Sequence, residues 1–222
     1  MRDDVIQRQL SDAIVRGDSE TAEAKAKVLA QYAKNPTEAL DDLYDAYSTV
    51  ESLHALGEYD DARFASSANA ARASLNVLKS SLTPRQTRFT SKICVGPVSG
   101  GNDVMSSIMA AMFTASGHQV TDLSRSATPR EVLRNAEQSN AELLVVSLNE
   151  QTSGLAKEFV HEYESGGFRD KFDVVAFLRG SQAASVVSSS FTFVAHDPLE
   201  LLSKVTEFLI RRRGSARDRS SE

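Results

Sequence analysis

The stretch KICVGPVSGGNDVMSSIMAAMFTASGHQVTDL, from Lys92 to Leu123, decides how the second half of the chain folds. A β-branched run leads into a glycine-rich turn, then a helix-length apolar segment, then a second β-branched run. That order predicts a strand, a tight loop, a helix and a second parallel strand. Backbone N–H groups at such a loop favour a polar or anionic ligand, although the same glycines also suit a plain tight turn. The loop lacks the spacing of a phosphate-binding P-loop or a dinucleotide fingerprint.

Three more β-branched runs extend this pattern, at residues 142–148, 173–178 and 191–195. With the runs at 92–96 and 119–123, they alternate with amphipathic helical segments. Such alternation predicts a five-stranded parallel sheet of the Rossmann-like (flavodoxin-like) α/β class, with helices on both faces. Ligands of such sheets bind beyond the carboxyl ends of the strands. Functional residues are therefore expected directly after each strand.

The first half of the chain has apolar residues at helical spacing, with helix breaks at Gly17 and Gly57 and a helix start at Asn35-Pro36. The spacing predicts an all-α four-helix bundle over residues 1–82, followed by a linker at 83–90. The α/β domain then covers residues 91–213, and the polar residues 214–222 are expected to be disordered. The predicted inward faces are Val5, Leu10, Ile14 and Val15; Ala22, Ala26, Leu29, Ala30 and Ala33; Leu40, Leu43, Tyr47, Val50 and Leu53; and Phe64, Ala68, Ala71, Leu75 and Leu78.

Composition limits the partners of the chain. The formal net charge of −5 argues against general binding to a phosphate backbone, and the basic residues 211–213 fit a helix C-terminus, so no nucleic-acid partner is expected. A single cysteine, Cys94, excludes an intrachain disulfide and fits a reducing cytoplasm. No apolar run approaches the roughly 20 residues of a membrane span, and no signal-peptide pattern is present. The sequence predicts a cytoplasmic protein with no membrane contact.

Short motifs in both halves carry a family resemblance. In the first half they are LSDAIVRGD at residues 10–18 and VESLHALGEY at residues 50–59. In the second half they are Ala115-Ser116-Gly117 after the first helix and Ser147-Leu148 at the end of the third strand. As an ordered set they resemble the cobalamin-binding domain and its N-terminal helical cap, as found in corrinoid methyl-carrier proteins and cobalamin-dependent regulators. The resemblance implies a five-stranded Rossmann-like domain preceded by a four-helix cap.

The chain departs from that family where the family handles cobalt. The resemblance places an Asp-x-His-x-x-Gly motif, whose His ligates cobalt, at positions that hold Gly100, Asn102 and Met105 here. The Gly-Gly after the fourth strand is replaced by Arg179-Gly180. The Trp and Glu-His of the light-sensing regulators are replaced by His54, Phe64 and Ala65. A cobalamin bound here would therefore keep its own base on cobalt, without a protein His.

These positions identify candidate ligand-binding residues. The sequence predicts no catalytic residue and no metal-ligating residue. Two interpretations of Ser147 are open: the polar wall of a pocket, or part of a solvated loop beside a helix cap. Two are also open for Arg179: a contact with an anionic ligand, or an ion pair with another residue. The candidate ligand-binding residues are Gly100, Gly101, Asn102, Ser147, Asn149, Arg179, Gly180 and His54.

Three functional hypotheses remain open. The leading one is a non-catalytic ligand sensor or regulatory module, which binds a corrinoid without a protein ligand, another tetrapyrrole, or no ligand. The alternative is a corrinoid methyl carrier that serves a methyltransferase. The third is an interaction protein whose cleft is filled by side chains such as Met105, Met109, Phe64 and Leu53. The expected partners are a regulator or a methyltransferase, and a homo-oligomer is compatible with each hypothesis.

Overall fold

The structure, a computed structural model, describes residues 2–32, 36–84, 90–98, 103–125, 128–148, 153–179 and 191–219. Contacts between Cα atoms divide the chain into two compact units. The first contains Met1–Arg85 with Thr114–Ser116, and the second contains Gln86–Phe113 with Gly117–Glu222. We call them the helical unit and the α/β unit.

The helical unit contains four helices that pack on one another: α1 (Arg2–Arg16), α2 (Ser19–Tyr32), α3 (Pro36–Ala55) and α4 (Asp61–Ser81). Gly17 ends α1 with a φ of +76°, a conformation that side chains with a Cβ rarely adopt. Asp60 begins α4, because its side chain accepts a hydrogen bond from the Arg63 N–H at 2.7 Å.

The helical spacing of apolar residues correctly identifies most of the interior of this unit. Among the residues predicted to face inward, the prediction is wrong for Val5. Its side chain is 54% exposed, because it lies in the first turn of α1. Leu53 and Phe64 are half-buried, and Ala33 lies outside the described residues. The fully buried members include Leu10, Ile14, Ala22, Ala26, Leu29, Leu40, Leu43, Tyr47, Val50, Ala68, Ala71, Leu75 and Leu78.

The α/β unit is a five-stranded parallel sheet, as the sequence predicts, and its strand order is β2-β1-β3-β4-β5. The strands are β1 (Lys92–Pro97), β2 (Gln119–Asp122), β3 (Leu143–Leu148), β4 (Asp173–Leu178) and β5 (Val194–Ala195). The helices are α5 (Val104–Ala115), α6 (Pro129–Gln138), α7 (Ser153–Ser165) and α8 (Pro198–Arg219). β1 and β3 lie at the centre of the sheet and pair over five positions, from Ile93 with Leu143 to Pro97 with Ser147.

Alternation of side chains assigns each strand residue to one face of the sheet. Leu144, Val146 and Leu148 of β3 join one apolar cluster with residues of α6 and α7. Leu143, Val145 and Ser147 therefore face the other side. α5 covers that side, because right-handed crossovers place it opposite α6. The buried residues of α8 are absent from the α6–α7 cluster, which places α8 on the α5 side.

Two element boundaries differ from the sequence-based expectation. β5 is shorter, because residues 191–193 bond irregularly to β4 and Phe191 stacks on Phe159 in the core instead. α8 is longer and continues through Gly214 to Arg219, although residues 214–222 were expected to be disordered. A helical glycine costs only about 1 kcal/mol, and the residues after it tolerate helix well. Among the described residues, no helix is both long and apolar enough to cross a membrane.

Candidate functional site

The carboxyl edge of the sheet is where β1, β3 and β4 end and where parallel α/β sheets bind ligands. β3 ends at Leu148 and β4 at Leu178, in register with each other. β1 ends beside β3, where the Val98 N–H donates to the Ser147 carbonyl oxygen at 3.2 Å. The strands thus bring the segments after them together on one edge.

Ser147 is the polar side chain within this part of the sheet. It is 3% exposed, and its hydroxyl is buried without a hydrogen-bond partner among the described residues. A buried polar group left unpaired costs free energy, so such a group is rare in a native protein and calls for an explanation. Ser147 faces the α5 side of the sheet, and its predicted contact with a ligand there remains a prediction.

The start of α5 is held by Asp103. Its Oδ2 accepts from the Ser106 N–H at 3.3 Å and from the Ser106 hydroxyl at 2.5 Å, which makes Asp103 the cap of the helix. The Asp103 N–H donates to the Ser124 carbonyl oxygen at 3.2 Å, and Ser124 and Ser107 share a hydroxyl hydrogen bond of 2.9 Å. These bonds fix α5 to the segment that follows β2.

Arg179 follows β4 and places a cation at the same edge. Its Nη2 lies 3.6 Å from Asp103 Oδ1, and the two side chains are 10% and 14% exposed. The Arg179 N–H donates to the Leu148 carbonyl oxygen at 2.8 Å, which fixes its backbone against the end of β3. The ion-pair interpretation of Arg179 is thus correct, and an anion contact stays a proposal.

His54 lies in the helical unit, near the end of α3. Its Nε2 is 3.0 Å from Asp61 Oδ1, and its ring stacks on Phe64 at 4.3 Å between centroids. Both contacts join the end of α3 to the start of α4. They give His54 a structural role, and its predicted contact with a ligand remains a prediction.

Several predicted site residues lie outside the described part of the chain. These are Gly100, Gly101 and Asn102 before α5, Asn149 after β3, and Gly180 after Arg179. Met105 and Met109, which the sequence leaves as cleft fillers or cleft lining, are both fully buried in α5.

The described edge carries the Ser147 hydroxyl, the Arg179 guanidinium and the Asp103 carboxylate, which are groups able to hold polar and charged parts of a ligand. Cys94 is 1% exposed within β1, and burial raises the pKa of its thiol, so it is an inert core residue as the sequence predicts. Among the residues that the structure describes, no group of three or more His, Cys, Asp or Glu residues is placed to hold a metal ion.

Asp103, Ser106 and Ser124 are site residues that the sequence-based predictions miss. The pattern Asp103-x-x-Ser106 before an apolar helix is a helix-start signal that identifies Asp103 as a cap. The contact with Arg179 joins residues far apart in sequence, and no local pattern indicates it.

No protein-family model matches the sequence, and no curated protein matches it. Solved structures do match. The structure of the Methanosarcina barkeri monomethylamine corrinoid protein aligns over 92% of this chain and 99% of that chain, with a TM-score of 0.75 and 18% identity. A novel cobalamin-binding protein from Desulfitobacterium hafniense DCB-2 aligns over 91% and 98%, with a TM-score of 0.46 and 17% identity. The methanol:cobalamin methyltransferase complex MtaBC from Methanosarcina barkeri aligns over 93% and 80%, with a TM-score of 0.46 and 17% identity.

The first of these similarities confirms the predicted fold. It includes nearly all of both chains, so the helical half and the α/β half both have counterparts in a corrinoid protein. At 18% identity it is a similarity of fold.

Proposed function

We propose that this chain is a corrinoid-binding carrier protein, which holds a corrinoid at the carboxyl edge of its sheet and presents it to a methyltransferase partner. The observation that carries the proposal is the extent of the fold similarity to the monomethylamine corrinoid protein, at 92% of this chain and 99% of that one. A fold alone does not establish a ligand, so the residues at the edge must fit one.

The described residues fit the organic part of a corrinoid. A corrinoid carries amide side chains and a nucleotide tail, which need hydrogen-bond donors and a counter-charge. The Ser147 hydroxyl, which has no partner among the described residues, and the Arg179 guanidinium are groups of that kind, and both lie at the edge where parallel α/β sheets bind ligands. Ser147 and Arg179 would hold the group.

Cobalt itself has no protein ligand in this proposal. Asn102 occupies the sequence position where the resemblance expects the ligating His, and an Asn amide is a poor ligand for cobalt. The bound corrinoid then keeps its own base on cobalt. When bound, it supplies a metal that can carry a methyl group, and the chain supplies the binding site.

A carrier is favoured over the regulatory sensor that leads the sequence-based hypotheses. The protein with the similar fold is described as a monomethylamine corrinoid protein and not as a regulator. The two roles also need different binding behaviour. A sensor must distinguish ligand states by their affinities, whereas a carrier must hold its cofactor with and without the methyl group.

The test is reconstitution of the purified chain with hydroxocobalamin, methylcobalamin and adenosylcobalamin, followed by gel filtration and absorbance spectroscopy. We expect retention of hydroxo- and methylcobalamin with affinities within about threefold of each other, and base-on spectra. We expect the same elution volume for each loaded form.

Two results would count against the proposal in different ways. Retention of none of the three forms would remove the corrinoid altogether. Strong preference for one form, with a change of elution volume on binding it, would favour the sensor.

A further inference from the structure

An uncharged row of side chains runs along the exposed side of α8. It consists of Leu199, Ser203, Thr206 and Ile210, and we call it the α8 stripe. Residues at this alternating spacing of four and three lie on one side of a helix, and here they cover about 16 Å of its length. All four are exposed, and the two large apolar side chains, Leu199 and Ile210, are 47% and 49% exposed. They lie at the two ends of the stripe.

The centre of the α8 stripe allows another helix to approach. The Thr206 hydroxyl donates to the Leu202 carbonyl oxygen at 2.7 Å within the same helix, so covering Thr206 leaves no unpaired hydroxyl. Ser203 has a short side chain, and short side chains at a contact permit close packing of two helices. An antiparallel second copy of α8 would place Leu199 opposite Ile210 of that copy, and Ser203 opposite its Thr206.

A row of charged residues flanks the α8 stripe on one side. Glu200, Lys204, Glu207 and Arg211 follow one another in alternating sign. Within the helix, Lys204 lies 2.7 Å from Glu200, and Arg211 lies 3.4 Å from Glu207. All four side chains are at least 41% exposed. In paired helices, charges that flank the contact determine the partner and its orientation.

The order of these charges is complementary to its own reverse. In the antiparallel arrangement, Glu200 lies near Arg211 of the second copy, and Lys204 lies near Glu207 of that copy. Symmetry repeats both contacts, so each acidic side chain meets a basic one. A parallel copy would instead place every charge beside its own counterpart, and like charges repel.

We propose that the α8 stripe binds the α8 stripe of a second copy of this chain, in an antiparallel dimer with two-fold symmetry. A contact about 16 Å long is smaller than the roughly 800 Å² per partner of a stable interface. The dimer is therefore weak, with a dissociation constant on the order of 100 µM. This inference does not rest on the proposed function, since it uses no residue of the carboxyl edge.

Sedimentation equilibrium of the full chain, from about 10 to about 500 µM, measures this association. We expect a monomer–dimer equilibrium. Ile210→Ser should weaken it about tenfold or more, because symmetry removes an apolar side chain from both ends of the contact. Val5→Ser is the matched control, since Val5 is also apolar and is 54% exposed on α1. It should leave the dissociation constant unchanged.

A charge exchange tests the pairing of the flanking residues. Lys204→Glu and Glu207→Lys each place like charges opposite one another at two symmetric contacts, so each variant alone should dimerise about fivefold more weakly. An equimolar mixture of the two restores opposite charges at both contacts. The mixed dimer should recover to within about threefold of the unmodified chain. Lys157→Glu and Glu158→Lys, at exposed positions on α7, are the control pair and should have no effect, alone or mixed.

Three results would overturn this proposal. A chain that stays monomeric up to about 500 µM has no such dimer. A dimer that tolerates Ile210→Ser pairs through another surface. A mixture of Lys204→Glu with Glu207→Lys that associates no better than either variant alone removes the antiparallel pairing. That comparison does not depend on the stability of the variants, because the same two proteins are measured alone and together.

Discussion

The two edges of the sheet in the α/β unit use charged residues in opposite ways. At the amino edge, Arg213 donates to the Thr90 carbonyl oxygen at 2.7 Å and to the Ser91 hydroxyl at 3.0 Å. Arg212 lies 2.7 Å from Asp173 Oδ2. At the carboxyl edge, Arg179 stays 3.6 Å from its carboxylate, and the Ser147 hydroxyl has no partner among the described residues.

This difference contrasts an edge whose charged side chains bond to one another with the edge that we propose binds a ligand. Glu142 accepts from the Lys92 N–H at 3.2 Å and faces Arg213 at 3.5 Å, so the amino edge satisfies its charges internally. The C-terminal part of α8 and the entry to β1 are thereby fixed together. At the carboxyl edge, the proposed ligand would supply a partner for the Ser147 hydroxyl, which has none among the described residues. Substitutions at one edge should alter stability, and those at the other should alter binding.

The largest expected effect is on ligand binding, from Ser147→Leu at the carboxyl edge. The substitution removes the unpaired hydroxyl and adds bulk where the ligand would lie. Cobalamin affinity should fall by about tenfold or more, while overpacking costs about 1–3 kcal/mol of stability. Isothermal titration and urea unfolding measure the two quantities. Ser203→Leu, at an exposed position on α8, is the control. Unchanged affinity in Ser147→Leu would remove Ser147 from the site.

At the amino edge, Arg213→Met should lower stability and leave binding alone. The substitution removes the charge-assisted hydrogen bonds from the guanidinium to Thr90 and Ser91. Because these bonds are partly exposed to solvent, we expect them to contribute about 1 kcal/mol to the free energy of unfolding. Arg211→Met is the matched control, because Arg211 is 81% exposed and forms an i,i+4 pair with Glu207. That control should change stability by less than about 0.5 kcal/mol. An affinity change in Arg213→Met would show that the two edges are coupled.

A smaller stability effect is expected from Thr128→Ala, in the cap of α6. Thr128 Oγ1 accepts from the Glu131 N–H at 3.2 Å, and the Glu131 carboxylate accepts from the Thr128 N–H at 3.1 Å. Loss of this capping box should cost about 0.5–1 kcal/mol in urea unfolding without affecting cobalamin. Thr206→Ala, on the exposed side of α8, is the control, and its free energy of unfolding should stay within about 0.5 kcal/mol of that of the unmodified chain. Equal effects of the two substitutions would argue against the cap.

The smallest effect concerns the pH dependence of the amino edge. Burial lowers the pKa of His118, Arg213 lowers it further and Glu142 opposes the shift. Because the folded-state pKa is below the unfolded value of about 6.5, the chain should lose stability as pH falls below about 6.5 and on through the folded-state pKa. His118→Gln should lose less stability between about pH 7 and pH 5 in urea titrations. Identical losses in both proteins would exclude His118 as the cause.

Much of the fold was predictable from the sequence, because it depends on local patterns. The capping box forms at Thr128, and Gly17 ends α1 with a positive φ, as their residue types indicate. The five β-branched runs form the five strands of the predicted flavodoxin-like parallel sheet. The end of α8 was missed, since Gly214 breaks a helical pattern only weakly.

The site was predictable only in part. Ser147 was chosen as a candidate from its place at the end of a buried strand, and the structure places its side chain there at 3% exposed. The pairing of Arg179 with Asp103 depends on packing between β4 and α5, which no short pattern encodes. His54 matches a family position in sequence, yet its contacts with Asp61 and Phe64 are set by the turn between α3 and α4.

The most direct test of the central claim is electron paramagnetic resonance of the Co(II) form, with unlabelled cobalamin bound to uniformly ¹⁵N-labelled protein. The claim is that the chain holds a corrinoid through its organic part and gives cobalt no protein nitrogen. The cofactor's own base then remains on cobalt, and the hyperfine lines should be split into triplets by its ordinary nitrogen. Doublets would place a nitrogen of the labelled protein on cobalt, and that result would contradict the account.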